Sequence, residues 1–251
     1  MNINHEVSST EKNMSSSCRE EDAEIRYLEW DLNEKRNRCF HLRQDELNDI
    51  CVLRATLRVA HAYLEKEEYE KSLLNYESIV CAKFDVPDEI RARAYHGKGL
   101  VHMRRNDDHP ARESFQNSIN YSSKSNKIGN HAIDTAESLF YLGVIFRKSR
   151  SVADIDMSMC LFLEALHIRR SILGCDNVLI AEVLKMIGNI HIERNEQIEA
   201  YEVFSELRRI EAACLQKKYK ASSGGGIMCV PKRGIIGSDC CNDWEFAASA
   251  A

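Results

Sequence analysis

The feature that most constrains the fold is a repeat in the middle of the chain, which has a period of about 40 residues. Four amphipathic segments each have a small residue at the same position of the repeat: Ala60, Gly99, Gly143 and Gly188. A glycine inside a helix costs about 1 kcal/mol relative to alanine, so three glycines at one phase indicate close helix packing. Such a period is typical of stacked units that cannot bury their apolar faces alone. The sequence therefore predicts a repeat array.

Other positions recur with these small residues and predict a helix hairpin in each unit. A large residue follows after three positions, and a second small residue, itself followed by an aromatic, comes about twelve positions after the first. Together with the four small residues, these form a predicted packing set: Tyr63, Tyr76, Ala111, Phe115, Phe146, Phe162, Ala200 and Phe204. We expect the small residues to let two antiparallel helices approach and the aromatic ones to fill the space around them. In the third unit the second small residue comes three positions late, and we place the insertion in the polar turn around residues 150–156.

Composition independently favours an all-α protein. Eleven glycines and three prolines in 251 residues are too few to separate the many short strands of a sandwich or barrel. The 39 acidic residues slightly exceed the 34 basic ones, which argues against a dedicated nucleic-acid binder. The chain has neither a membrane-span run of about 18 apolar residues nor a signal-peptide core, so we expect a cytoplasmic protein. Most of the ten cysteines are then expected to be free thiols packed in the core.

The composition changes along the chain and predicts four segments. Residues 1–22 are polar and serine-rich and are predicted to be a disordered leader. Residues 23–50 are predicted to be a helical segment that caps the repeats, and 217–251 a flexible tail rich in serine and glycine that contains cysteines. The repeat domain is placed at 51–216, with units at about 53–82, 92–121, 136–169 and 181–214.

The repeats resemble two known patterns. The fourth unit reads Leu184-x₂-Ile187-Gly188-x₂-His191 and then Ala200-x₃-Phe204, which is similar to the tetratricopeptide repeat. The segment 165–176, ALHIRRSILGCD, followed by AEVL at 181–184, resembles the longer repeat of kinesin light chains, with Asn177-Val178 where that family has His-Pro. The resemblance implies a right-handed superhelical solenoid of about four antiparallel hairpins. No sustained apolar heptads precede the repeats, so a kinesin-light-chain-like protein, not a motor subunit, is expected.

In repeats of this kind the first helix of each unit lines a concave groove. Positions that usually face the groove give the candidate peptide-binding residues: Arg54, His61, Arg93, His96, Arg104, Phe140, Arg147, Lys148, Lys185 and Asn189. Because most of them are basic, an acidic peptide with an apolar anchor would suit the groove. The alternative is that these charges form an ordinary solvated helix face.

The sequence offers no catalytic or metal-binding motif. It contains neither a His-Glu-x-x-His nor a Cys-x-x-Cys pattern, and the serine-glycine run at 222–226 lacks the Lys that a phosphate loop requires. We therefore expect a non-catalytic adaptor or scaffold that binds a protein partner and uses neither metal nor cofactor. The alternative function is an accessory or regulatory subunit of a larger enzyme or motor complex.

Overall fold

The computed structural model describes residues 22–37, 46–82, 85–124 and 130–222. These residues form nine helices and contain no strand, which confirms the all-α class. The chain divides into two compact units, Met1–Cys214 and Leu215–Ala251, and the helices belong to the first apart from the final residues of α9.

Eight of the helices pair in sequence into four antiparallel hairpins. Helix α1 covers 22–37. The hairpins follow as α2 Glu46–Glu65 with α3 Tyr69–Val80, α4 Asp88–Arg104 with α5 Asp108–Lys124, α6 Asn130–Lys148 with α7 Val152–Leu173, and α8 Val178–Glu193 with α9 Gln197–Ser222. We call the first helix of each hairpin its A helix and the second its B helix. Each hairpin packs on the next through neighbouring helices, as expected for stacked repeats.

The four turns between A and B helices have a common backbone conformation. Each contains one non-glycine residue with positive φ, seven residues after the small A-helix position: Glu67, Asn106, Arg150 and Asn195. In the first, second and fourth turns, this residue and its successor donate backbone hydrogen bonds to the last carbonyls of the A helix. That is the Schellman pattern, which satisfies carbonyls that the end of a helix leaves open.

The small A-helix positions accept aromatic rings from the B helix of the same hairpin. A β-carbon built on each glycine would come within 2.7–2.8 Å of a ring atom, in the pairs Gly99–Phe115, Gly143–Phe162 and Gly188–Phe204. Carbon atoms cannot pack that closely, so these glycines are needed for the helix approach. In the first hairpin Ala60 holds this position and is fully buried.

The second small position adds a hydrogen bond where it is serine. Ser72 Oγ donates to the Ala60 carbonyl at 2.8 Å, and Ser158 Oγ donates to the Gly143 carbonyl at 2.9 Å. Alanines, Ala111 and Ala200, occupy this position in the other two hairpins and are also buried.

One aromatic residue packs differently from its counterparts. The Tyr76 ring of the first hairpin lies against Gly97 of α4, where any β-carbon would overlap the ring. Tyr76 is 2% exposed, so its ring fills the boundary between the first and second hairpins. Helix α4 therefore needs two glycines, Gly97 facing α3 and Gly99 facing α5.

The expectation that the third unit carries its insertion in a loop is wrong. Its turn has the same length as the others, since Arg150 also follows the small residue by seven positions. Helix α7 begins at Val152, and the three extra residues add almost one helical turn before Ser158. Because three residues rotate a helix by about 300°, Ser158 still reaches the Gly143 carbonyl.

Helix α8 begins at an asparagine that caps it. Asn177 Oδ1 accepts a hydrogen bond from the backbone N–H of Leu179 at 2.9 Å. Asparagine is among the best N-cap residues, so the replacement of His-Pro by Asn177-Val178 still yields a well-formed helix start. The preceding helix ends at Gly174, whose φ of 71° suits glycine.

Helix α1 packs on α2. Ile25, Leu28 and Leu32 are buried against Ala55 and Val59 of α2. Tyr63 is buried in the same cluster and donates a hydrogen bond to Glu29 of α1. The apolar side of the first A helix is thereby covered.

Some helix bounds differ from those read off the sequence. Each A helix begins several residues before the predicted start of its unit, because apolar periodicity marks the packed part of a helix and not its first turn. Helix α9 continues through residues 217–222, which the sequence assigns to the tail. Residues 1–21 and 223–251 lie outside the described part, so the predicted leader and most of the tail are not described.

The expectation that most cysteines are buried is wrong for those in the described residues. Cys51, Cys81 and Cys160 are exposed, and Cys175 and Cys214 are half-buried. None of these five cysteines forms a disulfide. Alanines, serines and glycines, which are smaller, occupy the tight helix contacts instead.

Candidate peptide-binding face

The four A helices form one face of the hairpin stack. Helix α2 packs on α4 and α4 packs on α6, and Arg147 of α6 contacts Met186 and Glu193 of α8. We call the surface formed by the A helices α2, α4, α6 and α8 the A-helix face. All ten predicted groove residues belong to these helices.

Two predicted groove arginines in the second hairpin are ion-paired with neighbouring A helices. Arg93 Nε donates to Asp134 Oδ2 of α6 at 2.7 Å. Arg104 contacts α2 twice, donating to the Leu64 carbonyl at 3.1 Å and to Glu65 Oε1 at 3.0 Å. Both arginines therefore link successive hairpins.

The two predicted groove cations at the end of α6 are also paired. Arg147 donates to Glu193 of α8, and Lys148 Nζ donates to Asp108 Oδ1 of α5 at 2.6 Å. The A-helix face is accordingly less basic than the sequence predicts. These carboxylates could not be predicted from the sequence pattern, because each lies on another helix, about one repeat away.

Four predicted groove residues have side chains without a partner among the described residues. Arg54 and Lys185 are exposed and Asn189 is half-buried, and no side chain among them has a hydrogen bond or ion pair within the described residues. His61 is also exposed and unpaired there. It lies near His96 and Glu137, since its charge affects the pKa of both.

His96 is a largely buried part of a polar chain across three helices. Its Nδ1 lies 2.8 Å from Ser138 Oγ of α6, which in turn lies 3.0 Å from Ser118 Oγ of α5. Burial lowers the pKa of His96 to about 4, against the opposing effect of Asp134. The imidazole is therefore neutral at physiological pH and structural, not a cation for ligands.

Phe140 is half-buried and its environment includes an arginine that sequence analysis missed. Arg169 of α7 is 2% exposed, lies 5.0 Å from the Phe140 ring centroid, and donates to the Leu179 carbonyl at 2.6 Å. Burial lowers its pKa, while Glu182 and Glu137 raise it. The signal was present in the sequence, because Phe162, Ala165, Leu166 and Arg169 share one helical stripe.

Burial around Arg169 also changes the pKa of a neighbouring carboxylate. Desolvation raises the pKa of Glu137, and the charge of Arg169 opposes that rise. Glu182 of α8 lies 3.8 Å from the guanidinium and is about half exposed. The A-helix face thus presents two carboxylates next to a buried cation, and the exposed cation Lys185 lies about one helical turn after Glu182 on α8.

Two further features, a cluster of metal-ligating side chains and a membrane-spanning helix, are absent from the described residues. Across 22–37, 46–82, 85–124 and 130–222, no three or more His, Cys, Asp or Glu side chains are grouped as metal ligands. Every helix in this part of the chain is too short or too polar to cross a bilayer.

The chain was compared with known proteins by sequence and by structure. No family model matches the sequence, and no curated protein matches it. Solved structures do match. BtubC (BKLC) from P. vanneervenii has a TM-score of 0.56 and 13% identity, over 87% of this chain and 98% of that one.

Two further structures are similar in fold. The apo form of RapI has a TM-score of 0.58 and 15% identity, covering 72% of this chain and 62% of RapI. The crystal structure of a Podospora anserina putative kinesin light chain with nearly identical TPR-like repeats has a TM-score of 0.56 and 13% identity, over 81% and 92% of the two chains. At such identities the likeness concerns the fold alone, and this protein therefore has a tetratricopeptide-like helical repeat fold.

Proposed function

We propose that the protein is a non-catalytic adaptor of the cytoplasm that binds a peptide or helix of a protein partner on its A-helix face. The observation that carries the proposal is the contrast between paired and unpaired cations on that face. Arg93, Arg104, Arg147 and Lys148 are paired within the fold, whereas Arg54 and Lys185 are exposed without a partner in the described residues. The former stabilise the scaffold and the latter are available to a ligand.

The chemistry of this face favours an acidic peptide with apolar side chains. Exposed cations at both ends, on α2 and α8, would attract carboxylates. Leu100, Met103 and Val144 lie between them and are half-buried, so they offer apolar surface to a ligand. The proposal includes that the repeats are of the kinesin-light-chain type. The competing view, an ordinary solvated face, predicts no specific binding there.

A second candidate role, as an accessory subunit of a larger enzyme or motor complex, is favoured by a different surface. Tyr27 and Trp30 of α1 are 59% and 61% exposed, and their ring centroids lie 6.0 Å apart. Aromatic residues are enriched in the cores of protein interfaces. A stable partner that co-purifies with the full chain and is lost on Trp30→Ala would favour this role over transient peptide binding.

The proposed adaptor role is tested by selecting a random-peptide display library on the full chain. The selected peptide's affinity is then measured for Arg54→Glu/Lys185→Glu and for a matched control, Lys124→Glu/Arg208→Glu, which reverses two exposed cations on B helices. We expect a loss of about tenfold or more for the first pair only. Equal affinities would show that the A-helix face does not bind the peptide.

A further inference from the structure

The extra helical turn of α7 creates a pocket beside the A-helix face. The pocket has a volume of about 630 Å³, within the range of roughly 300–1,000 Å³ usual for ligand sites. Its apolar lining comes from three helices, with Val144 of α6, Ile155 of α7 and Met186 of α8. Ile155 lies between the start of α7 at Val152 and Ser158, a stretch that is three residues longer than in the other B helices.

The cations at this pocket are not equivalent. Arg147 is held by Glu193 and also approaches Met186 Sδ at 3.8 Å, and Lys148 is held by Asp108. Arg150 lines the same pocket and is exposed, and its side chain has no hydrogen bond or ion pair within the described residues. The pocket thus combines an apolar interior with one uncompensated positive charge.

The residues beside the pocket in sequence are apolar and solvent-exposed. Val152 follows Arg150 by two positions and is 76% exposed, and Ile192 precedes the pocket residue Glu193 and is 55% exposed. Exposed apolar residues next to a concave site favour a protein ligand over a small polar one.

We propose that this pocket docks a peptide segment in which a bulky apolar side chain stands next to an aspartate or glutamate. The apolar side chain would pack against Val144, Ile155 and Met186, and the carboxylate would pair with Arg150. An uncompensated guanidinium at the pocket supplies the charge complementarity, since arginine binds carboxylates through two parallel hydrogen bonds. The inference rests on the proposed adaptor role and assigns it a specific anchor site.

The backbone at Arg150 permits a test that does not damage the fold. Its φ of 55° is a left-handed conformation that glycine adopts more easily, so Arg150→Gly removes the side chain while favouring the turn. Asn106→Gly is the matched control, because Asn106 has a φ of 61° at the same turn position of the second hairpin, outside the pocket. A third variant deletes residues 154–156, which removes Ile155 and gives the third unit the spacing of the others.

The experiment selects a random-peptide display library on the full chain and measures the best peptide by fluorescence anisotropy. We expect the selected peptides to carry an acidic residue beside a large apolar one, and Arg150→Gly to bind about tenfold more weakly. The deletion variant, once its helical content and cooperative melting are verified, should lose binding, and Asn106→Gly should bind as the wild type does.

Other outcomes overturn the proposal in distinguishable ways. Unchanged binding by Arg150→Gly, together with a loss on Arg54→Glu/Lys185→Glu, would place the ligand elsewhere on the A-helix face and leave the adaptor role standing. Failure to select any peptide would overturn both. Concentration-dependent dimerisation that Arg150→Gly abolishes would identify a second copy of the chain as the occupant and overturn the peptide assignment.

Discussion

The second hairpin and the fourth hairpin follow the same repeat pattern, but their A helices pack in different ways. Helix α4 of the second hairpin buries mostly small residues, Ala92, Ala94, Gly97 and Gly99, beside Ile90 and Val101. Helix α8 of the fourth hairpin buries mostly larger aliphatic side chains, Ile180, Val183, Leu184, Ile187 and Ile190, beside Ala181 and Gly188. The difference teaches that a repeat fixes where helices meet, while the sizes of the contacting residues set how closely they approach.

The largest effect should come from Arg169, the one charged residue that is buried among the described residues. Arg169→Ala is expected to lower the free energy of unfolding by about 4 kcal/mol, because it leaves a cavity and removes the donor to the Leu179 carbonyl. Urea titration followed by circular dichroism measures this. Arg169→Met keeps most of the packing volume and should cost clearly less. If both variants are as stable as the wild type, the guanidinium does not hold α7 to α8.

The two packing modes can be compared directly by one pair of substitutions. Gly97→Ala should destabilise by about 3 kcal/mol, because the added methyl overlaps the ring of Tyr76, which is 2% exposed and enclosed. Gly188→Ala should cost less, since Phe204 is only half-buried and can shift, and alanine is the better helix former. Thermal melting of both variants tests the ranking. If Gly188→Ala lowered the melting temperature more than Gly97→Ala does, the two A helices would not differ in packing as described.

The polar chain at His96 predicts a dependence of stability on pH. The folded state lowers the pKa of His96 to about 4, so the unfolded chain binds the proton more readily between that value and its ordinary pKa. Stability therefore falls as the pH drops, by about 2 kcal/mol between pH 7 and pH 5 through this group. His96→Gln should remove that part of the slope in urea titrations at the two pH values. A variant with the slope of the wild type would show that another group causes it.

The smallest effect is expected where an exposed ion pair joins the first two hairpins to the last two. Lys148 and Asp108 are both more than a third exposed, and water screens such pairs. Lys148→Ala should change the free energy of unfolding by less than about 1 kcal/mol. The double variant with Asp108→Ala completes a cycle that isolates the pair. A coupling well above that value would mean that the two regions depend on this contact.

The sequence predicted the fold well because the repeat is a property of local spacing. The all-α class and the tetratricopeptide-like arrangement are confirmed, and the glycines at 99, 143 and 188 do face aromatic rings. The position of the insertion was predicted wrongly, since three residues can lengthen either a loop or a helix and periodicity alone does not distinguish them. The second glycine of α4 was missed because its ring partner comes from the preceding hairpin.

The candidate face was less predictable. The helices that carry its residues follow from the repeat, but the charge of the face does not. Asp134, Glu65 and Glu193 neutralise Arg93, Arg104 and Arg147 across hairpin boundaries, and such pairs depend on how the hairpins stack. The burial of His96 and Arg169 also depends on that stacking.

The extra turn of α7 has a consequence for how such a chain can change length. A hairpin whose buried serine must reach one carbonyl tolerates additions close to a whole helical turn, whereas one or two residues would rotate the contact out of place. Evolution and engineering can therefore lengthen a B helix in steps of three or four residues. Each step extends the helix by about 5 Å beyond the tight core and leaves the interior unchanged. In this architecture, new binding surface is gained by whole turns.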